Sequence, residues 1–448
     1  MTQPGWRLLT TALVSALATA ACTDSAGTIA APERVPSDPS YALAQDEGPF
    51  SNFTPIATST ACTAGGDAVN PFIIPAGFEQ EIIAREGDGG TADLWDMHTQ
   101  NETGPSAGRY LYRAHEIGPN SQVSVQDLRT RQVSILAQRA DFERFDGIAW
   151  TPWNTIIVAE ETNLAGFPDP DFPQAIAGLV YEIDPQTGSV VARPAIGSRS
   201  HEGLRFDSRG NLYGIAESSP PTGGYIYKFV PDRHGDLSSG QLYALKVTDP
   251  TAADRTGAAT WIALDRTAVQ VSSDAEATRV GATGYGRPED IENATSTGNA
   301  PEGLRNVLFI AITSEQRVIA VELGRGDDSY VFDYVKAGVN APVDFEAPDN
   351  LALNRAGELF ITEDPGGAFP AKVKGDDIWV AKPSTDRGRG LAPAVVRFAT
   401  LTDCDAEPTG VYFNLRNGRL FVNVQHRGGD GVDYGMLIGP VGREGGNP

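Results

Sequence analysis

Acidic side chains recur in this 448-residue chain at both ends of paired apolar runs. In SHEGLRFDSRGNLYGIAESS, residues 200–219, Glu202 precedes one run and Glu217 follows the next, with turn residues Asp207 to Asn211 between them. The pattern repeats with Asp146 before and Glu160-Glu161 after in FDGIAWTPWNTIIVAEET. Asp349 and Glu363-Asp364 flank NLALNRAGELFIT, and Glu407 and His426 flank PTGVYFNLRNGRLFVNVQ. A stretched copy has Glu289 before and Thr313 and Glu315 after, and a degenerate first copy ends in His115-Glu116. Each copy reads as a β-hairpin, which returns its first and last residues to one edge. Carboxylates gathered that way repel unless a cation lies among them, and hard divalent ions take carboxylate oxygens. The candidate metal ligands are therefore Glu116, Asp146, Glu161, Glu202, Glu289, Asp349, Glu363 and Glu407. Adjacent strand residues face opposite ways, so at most one of Glu160 and Glu161 points inward. The competing reading is that such acids cap turns and face water, as Asp364 before Pro365-Gly366-Gly367 could. His98, His115, His201 and His426 are further possible ligands.

Arg287, two residues before Glu289 in an Arg-Pro-Glu run, supplies a fixed cation. Beside bound metal a guanidinium suits an anionic substrate, phosphate above all; the plain alternative is a salt bridge to one of many acids. The chain has no Gly-x-Ser-x-Gly elbow, His-Glu-x-x-His motif or phosphate loop.

Between the hairpins lie further strand pairs, such as LVYEIDPQTGSVVARPAIG and VIAVELGRGDDSYVFDYV. Four antiparallel strands per repeated unit predict an all-β fold, a β-propeller with six four-stranded blades. A seventh blade could occupy the interval from Glu217 to Glu289. The last unit is short of strands after His426, so Phe78 to Ala84 is expected to pair with Met436 to Gly439 and close the ring. The 49 Gly and 31 Pro agree with many turns. A formal charge of −23 sets the chain against nucleic acid and anionic membrane and favours divalent cations.

MTQPGWRLLTTALVSALATAAC reads as an export signal over residues 1–22, with Arg7 before a short apolar run. Two cleavage readings stand: lipoprotein processing with lipidation of Cys22, or cleavage after an Ala-x-Ala. Residues 23–60 then read as a flexible tether and 61–448 as one propeller domain. Export implies an oxidising compartment, where Cys62 and Cys404 are first read as a disulfide. The product is periplasmic or an outer-membrane or cell-surface lipoprotein, touching membrane only through Cys22, and is expected to be a monomer.

TPWNTIIVAEE, SHEGLRF, RPED, PDNLALNRAGELFITED and PTGVYFNLRNGRLFVNVQH together resemble the PhoX-type bacterial alkaline phosphatases, in family order from about residue 110 to 430. The resemblance implies an exported six-bladed propeller that hydrolyses phosphomonoesters with calcium and iron. It implies Glu202 and Glu289 as metal ligands and Arg287 as the catalytic, phosphate-binding arginine, with His426 at the substrate. The family's Asn-Cys-Ala-Gly-Gly run, whose thiolate bridges two irons, is here Phe145-Asp146-Gly147-Ile148-Ala149, and its Gln-His-Pro-Gly is Gln425-His426-Arg427-Gly428. Asp146 in the thiolate's place favours calcium over iron. Two other readings stand beside a phosphatase: a calcium-dependent propeller lactonase or other esterase, and a non-catalytic metal-binding surface lipoprotein.

Overall fold

Alternating apolar runs separated by Gly, Asn and Asp turns form the predicted hairpins, and these assemble into six blades. A computed structural model describes residues 48–249, 254–293, 306–383 and 389–442. The inner strands of blades one to six are Trp95–Gln100, Phe145–Trp150, His201–Phe206, Pro288–Asn293, Pro348–Leu353 and Glu407–Phe413. Each touches the next, and the sixth touches the first, so the ring is closed around a central channel. Blade six takes its fourth strand from the chain start, with Phe78–Arg85 antiparallel to Tyr434–Pro440. Closure of this kind removes two sheet edges that would otherwise pair with other chains.

The interval from Glu217 to Glu289 holds no seventh blade among the described residues. It supplies the two outer strands of blade three, Ile226–Arg233 and Asp236–Val247, and then an extra strand and a helix. The extra strand, Gly257–Ala263, bonds to the outer strands of both blades three and four and fuses them into one nine-stranded sheet. The helix, Ser273–Val280, is capped by Ser272, whose Oγ accepts from the Ala275 amide, and stops at Gly281 in the left-handed region.

Apolar side chains fill each interface between neighbouring blades, as when Met97 and Tyr112 of blade one meet Ile148 and Val158 of blade two. The interface between blades six and one has the smallest apolar cluster, Ile83, Leu111, Phe421 and Leu437. Polar bonds cross it instead: Thr409 Oγ1 donates to the Trp95 carbonyl at 2.7 Å and the Trp95 amide donates to Asp433 Oδ2 at 3.0 Å.

Residues 48–60 correct the sequence expectation of a tether reaching to residue 60. Phe50 is buried and packs with Phe78, Phe360, Phe398 and Phe413, because an aromatic side chain this size gains more from an open apolar seam than from water. Residues 1–47, including the expected signal, Cys22 and most of the expected tether, lie outside the described residues. Cys62 and Cys404 form a disulfide across a sequence separation of 342, tying the N-terminal segment to the loop that enters blade six. Replacing both cysteines by serine is expected to destabilise the fold by about 2–4 kcal/mol. Urea unfolding reads this as a lowered midpoint, matched by the unsubstituted protein under reductant.

Candidate functional site

One irregularity, repeated, aims the acids. In blades one to five the inner strand pairs at its first residue, and the register then shifts by a β-bulge before pairing resumes. A bulge re-aims the side chains it carries. The residue just after that first pair is Asp96, Asp146, Glu202, Glu289 and Asp349 in turn. Blade six carries its bulge later, between Thr409 and Tyr412, so Gly410 occupies the bulge and Glu407 stands at the strand's start. Inner strands approach closely here: a Cβ on Gly203 would lie 2.0 Å from Asp290 Oδ1 and one on Gly147 would lie 2.2 Å from the Glu202 carbonyl oxygen.

A second set of residues stands just past the end of each blade's second strand. Glu116, Glu161, Glu217, Thr313 and Asp364 share one backbone bond, each amide donating to the carbonyl of the residue before the inner strand: Leu94, Arg144, Ser200, Arg287 and Ala347 in turn. The acceptors Leu94, Arg144, Arg287 and Ala347 all have positive φ, a sparsely allowed conformation held by the repeated bond. Arg287 thus sits at a structurally fixed position of blade four, beside the bulge acid Glu289.

The five bulge acids, with Glu116, Glu161 and Asp364 of the second set, line a cavity of about 490 Å³ at one channel mouth. Glu116, Asp146, Glu161, Glu202, Glu289, Asp349 and Glu407 of the expected set are all there, with Arg287 and His426. Ligand oxygens of Asp146, Glu161 and Glu202 lie within 4.8 Å of one another. Asp146 Oδ1 is buried and has no hydrogen-bond partner. Arg287 Nε donates to Glu217 Oε1 at 3.0 Å and its Nη2 lies 2.7 Å from Glu289 Oε1. These contacts leave guanidinium N–H groups for an anion, since the group carries five. The Arg287 side chain is 41% exposed, and His426 Nε2 lies 3.3 Å from Glu407 Oε1.

Glu363 is a correction. It ends the second strand of blade five, paired with Pro348, and its carboxylate accepts from the Glu346 amide, the Asp377 amide and Trp379 Nε1. Those donors hold it in the blade, and the next residue, Asp364, lines the mouth. Glu160 behaves as Glu363 does, accepting from the amides of Glu143 and Leu179, while Glu161 faces the mouth. The other histidines are structural. His98 donates from Nδ1 to the Gly410 carbonyl and accepts Arg113 Nε at Nε2, His115 bonds Ser124 Oγ, and His201 bonds the Gly197 carbonyl.

Sequence reasoning missed Asp96, Asp364, Lys372, Asp405 and Thr409, which also line the mouth. Asp96 and Asp364 carried a signal, since they occupy the same two repeat positions as Asp146 and Glu161. Lys372, Asp405 and Thr409 lie outside that repeat, on long connections or past the bulge-aligned positions. Lys372 Nζ is held by Asp376 at 2.5 Å.

Burial and mutual repulsion push the carboxyls of Asp96, Asp146, Glu202, Asp349 and Glu407 well above the ordinary carboxylate range. Burial, then Glu116 and Glu217, push Glu161 up to about 11. Burial also raises Glu289, opposed by Arg287. The ligand atoms the trio offers are all oxygens, and both described cysteines are bonded to each other. The set fits hard divalent ions.

Fold and site define a six-bladed propeller with an acid-lined, arginine-bearing cavity at one channel mouth. The chain belongs to the alkaline phosphatase PhoX family, which it matches over residues 147–330 and 310–428. Among solved structures it is similar to Pseudomonas fluorescens PhoX in complex with vanadate, a transition state analogue, with TM-score 0.63 and 17% identity over 87% of this chain and 98% of that one. A gluconolactonase from Xanthomonas campestris is 13% identical, with TM-score 0.46, over 86% of this chain and 100% of its own. No curated protein sequence matches the chain significantly.

Raised carboxyls bind protons more readily folded than unfolded, so folding takes up protons. Without cations, stability is therefore greatest below the ordinary carboxylate range and falls as pH rises towards the Glu161 value of about 11. Under a chelator the melting midpoint is expected to fall between about pH 5 and pH 9, and added calcium to restore it most at the upper end. A chelated protein whose midpoint is flat or rises with pH would contradict this assignment.

Proposed function

We propose that the chain is an exported, metal-dependent phosphomonoesterase acting at the acid-lined mouth. Arg287 carries the reading: it is a half-exposed guanidinium clamped between Glu217 and Glu289 on the wall of a cavity otherwise dominated by carboxylates. Asp146, Glu161 and Glu202 would hold one divalent cation, calcium by their all-oxygen donors, and the buried, unpartnered Asp146 Oδ1 supports that use. Glu116, Glu289, Asp349, Asp364 and Glu407 line the same cavity and would hold any further ions. When bound, such ions would neutralise the carboxylates, polarise phosphoryl oxygens and make water a stronger nucleophile.

The chain's own residues then have distinct tasks. Arg287, fixed by its two acids, binds and orients the phosphoryl group and offsets negative charge as it develops. His426, 47% exposed beside Glu407, contacts the substrate from the rim. The bulged backbone keeps the carboxylates preorganised, so little reorganisation accompanies the reaction. Iron is disfavoured because Asp146 stands where the family's thiolate would be, and an aspartate is a harder donor.

Export is supported by the disulfide, which persists in oxidising compartments. Among the described residues no helix is long and apolar enough to cross a membrane.

On a chromogenic aryl phosphate with calcium, Arg287→Ala is expected to lower kcat/KM by about 10²–10³-fold. Arg287→Lys is expected to recover only part of it, because lysine keeps the charge without the planar fork. Chelation should abolish turnover in the unsubstituted protein. An unchanged rate in Arg287→Ala removes that residue from the chemistry. Hydrolysis of lactones with phosphate esters untouched would replace the phosphatase by the lactonase reading.

A further inference from the structure

Three basic side chains line the mouth: Arg287, His426 and Lys372. Lys372 stands on the connection between the second and third strands of blade five, which leaves at Glu363 and returns at Asp377. This long connection is tied down on both sides of the lysine. Before it, the Phe369 amide donates to Asp405 Oδ1 at 2.8 Å, and the Lys372 amide itself donates to the Ala368 carbonyl at 3.0 Å. After it, the Val373 carbonyl accepts from the Cys62 amide at 3.2 Å, and the Gly375 amide donates to the Thr60 carbonyl at 3.1 Å. The Cys62–Cys404 bridge fixes that N-terminal segment in turn. The backbone that carries Lys372 to the mouth is therefore anchored.

The side chain is held as well. It is 10% exposed, against 41% for Arg287, and its Nζ lies 2.5 Å from Oδ2 of the buried Asp376. An ammonium carries three N–H groups, and among the described residues Asp376 is the only partner of Lys372 Nζ. The pair is single, since Asp376 Oδ1 has no partner. Two donors are thus left on a side chain that lines the mouth. Lysine is rarely buried this far with its donors unmet, because removing an ammonium from water is costly. Neutralising Asp376 accounts for one N–H and leaves the lysine's place at the mouth unexplained.

Lys372 and Arg287 bear on the same part of the cavity. Asp364 lines the mouth and lies within electrostatic reach of Arg287 and of Asp376, the partner of Lys372. A cavity of about 490 Å³ is on the order of 10 Å across. A phosphoryl group with a charge-assisted N–H···O bond on either side spans about 8 Å. Two fixed cations of different shape suit one group with several anionic oxygens. The guanidinium fork meets two oxygens in a plane, and the ammonium meets another as a point charge.

We propose that Lys372 is a second phosphoryl-binding residue of the mouth, contacting an oxygen of the phosphate monoester beside those held by Arg287. The inference rests on the phosphatase reading above and adds a substrate-contacting residue to it. Lys372 forms no covalent bond and gives up no proton; it stays an ammonium throughout and binds by charge and hydrogen bond. Asp376 is a positioning residue, which holds the ammonium at the wall and takes one N–H, leaving the others for the substrate.

The test uses the full chain with calcium, reading KM for p-nitrophenyl phosphate and, by calorimetry, the dissociation constant of inorganic phosphate. Lys372→Gln is expected to raise both by about 10–100-fold, the range of one hydrogen bond to a charged group. Lys372→Arg is expected to recover part of the loss, because it keeps the charge but not the compact ammonium. A lysine that only neutralises its neighbour gives a different result. Combining Lys372→Gln with Asp376→Asn replaces the ion pair by two amides and leaves no buried charge unpaired. The proposal predicts that this double variant regains its melting midpoint while phosphate affinity stays lost. Phosphate affinity restored in the double variant, or unchanged in Lys372→Gln, overturns the inference and leaves the phosphatase standing. No turnover of the ester by the unsubstituted protein removes the phosphatase reading and this inference with it.

Discussion

Like charges brought together by geometry are the constraint on which the rest of this structure depends. Closing six inner strands into a ring forces their first residues towards one axis, and five of those strands carry an acid on a bulge at that point. In water such carboxylates would separate; here the backbone does not allow it. The folded state must hold protons or cations there, since burial and the neighbouring Glu116 and Glu217 displace the Glu161 carboxyl upward to about 11. Any cation bound there would be linked to folding through the same side chains.

The scaffold tolerates this because the repulsion is local and the cohesion is distributed. Apolar clusters fill the interfaces between blades, and the shared strand of blade six and the Cys62–Cys404 bridge hold the seam. The side chains that set the mouth apart from a plain acid ring stand where the repeat is broken. The position before the inner strand is Leu94, Arg144 and Ala347 in three blades, and in blade four it is Arg287, clamped by two acids. Blade six replaces the bulge acid by Gly410, where a Cβ would lie 2.4 Å from the Asp96 carbonyl oxygen, and sets His426 where other blades have an acid or Thr313.

Much of this was legible in the sequence because strands and tight turns leave periodic marks. The hairpins, the ring closure by Phe78–Arg85 and the disulfide could each be read from apolar alternation, turn residues and an even cysteine pair. The inward acids were legible wherever the repeat register was kept. Alternation allows only one of Glu160 and Glu161 to point inward, the structure makes it Glu161, and the same register carried to blade five gives Asp364 rather than Glu363. Asp96 escaped because the first hairpin has a polar inner strand, Asp-Met-His-Thr-Gln, that hides its period. Lys372 and Asp405 escaped for a different reason: they reach the mouth from connections whose path depends on tertiary contacts, and no local period encodes it. Phe50 lay in a polar, proline-containing stretch whose packing partners are contributed by residues hundreds of positions away.

The most direct test is the metal content of the purified full chain, with anomalous diffraction to place the ions. The account predicts divalent cations, calcium foremost, bonded to oxygens of Asp146, Glu161 and Glu202 with no iron bound there. A protein free of metal, or ions found only away from those three side chains, would contradict it.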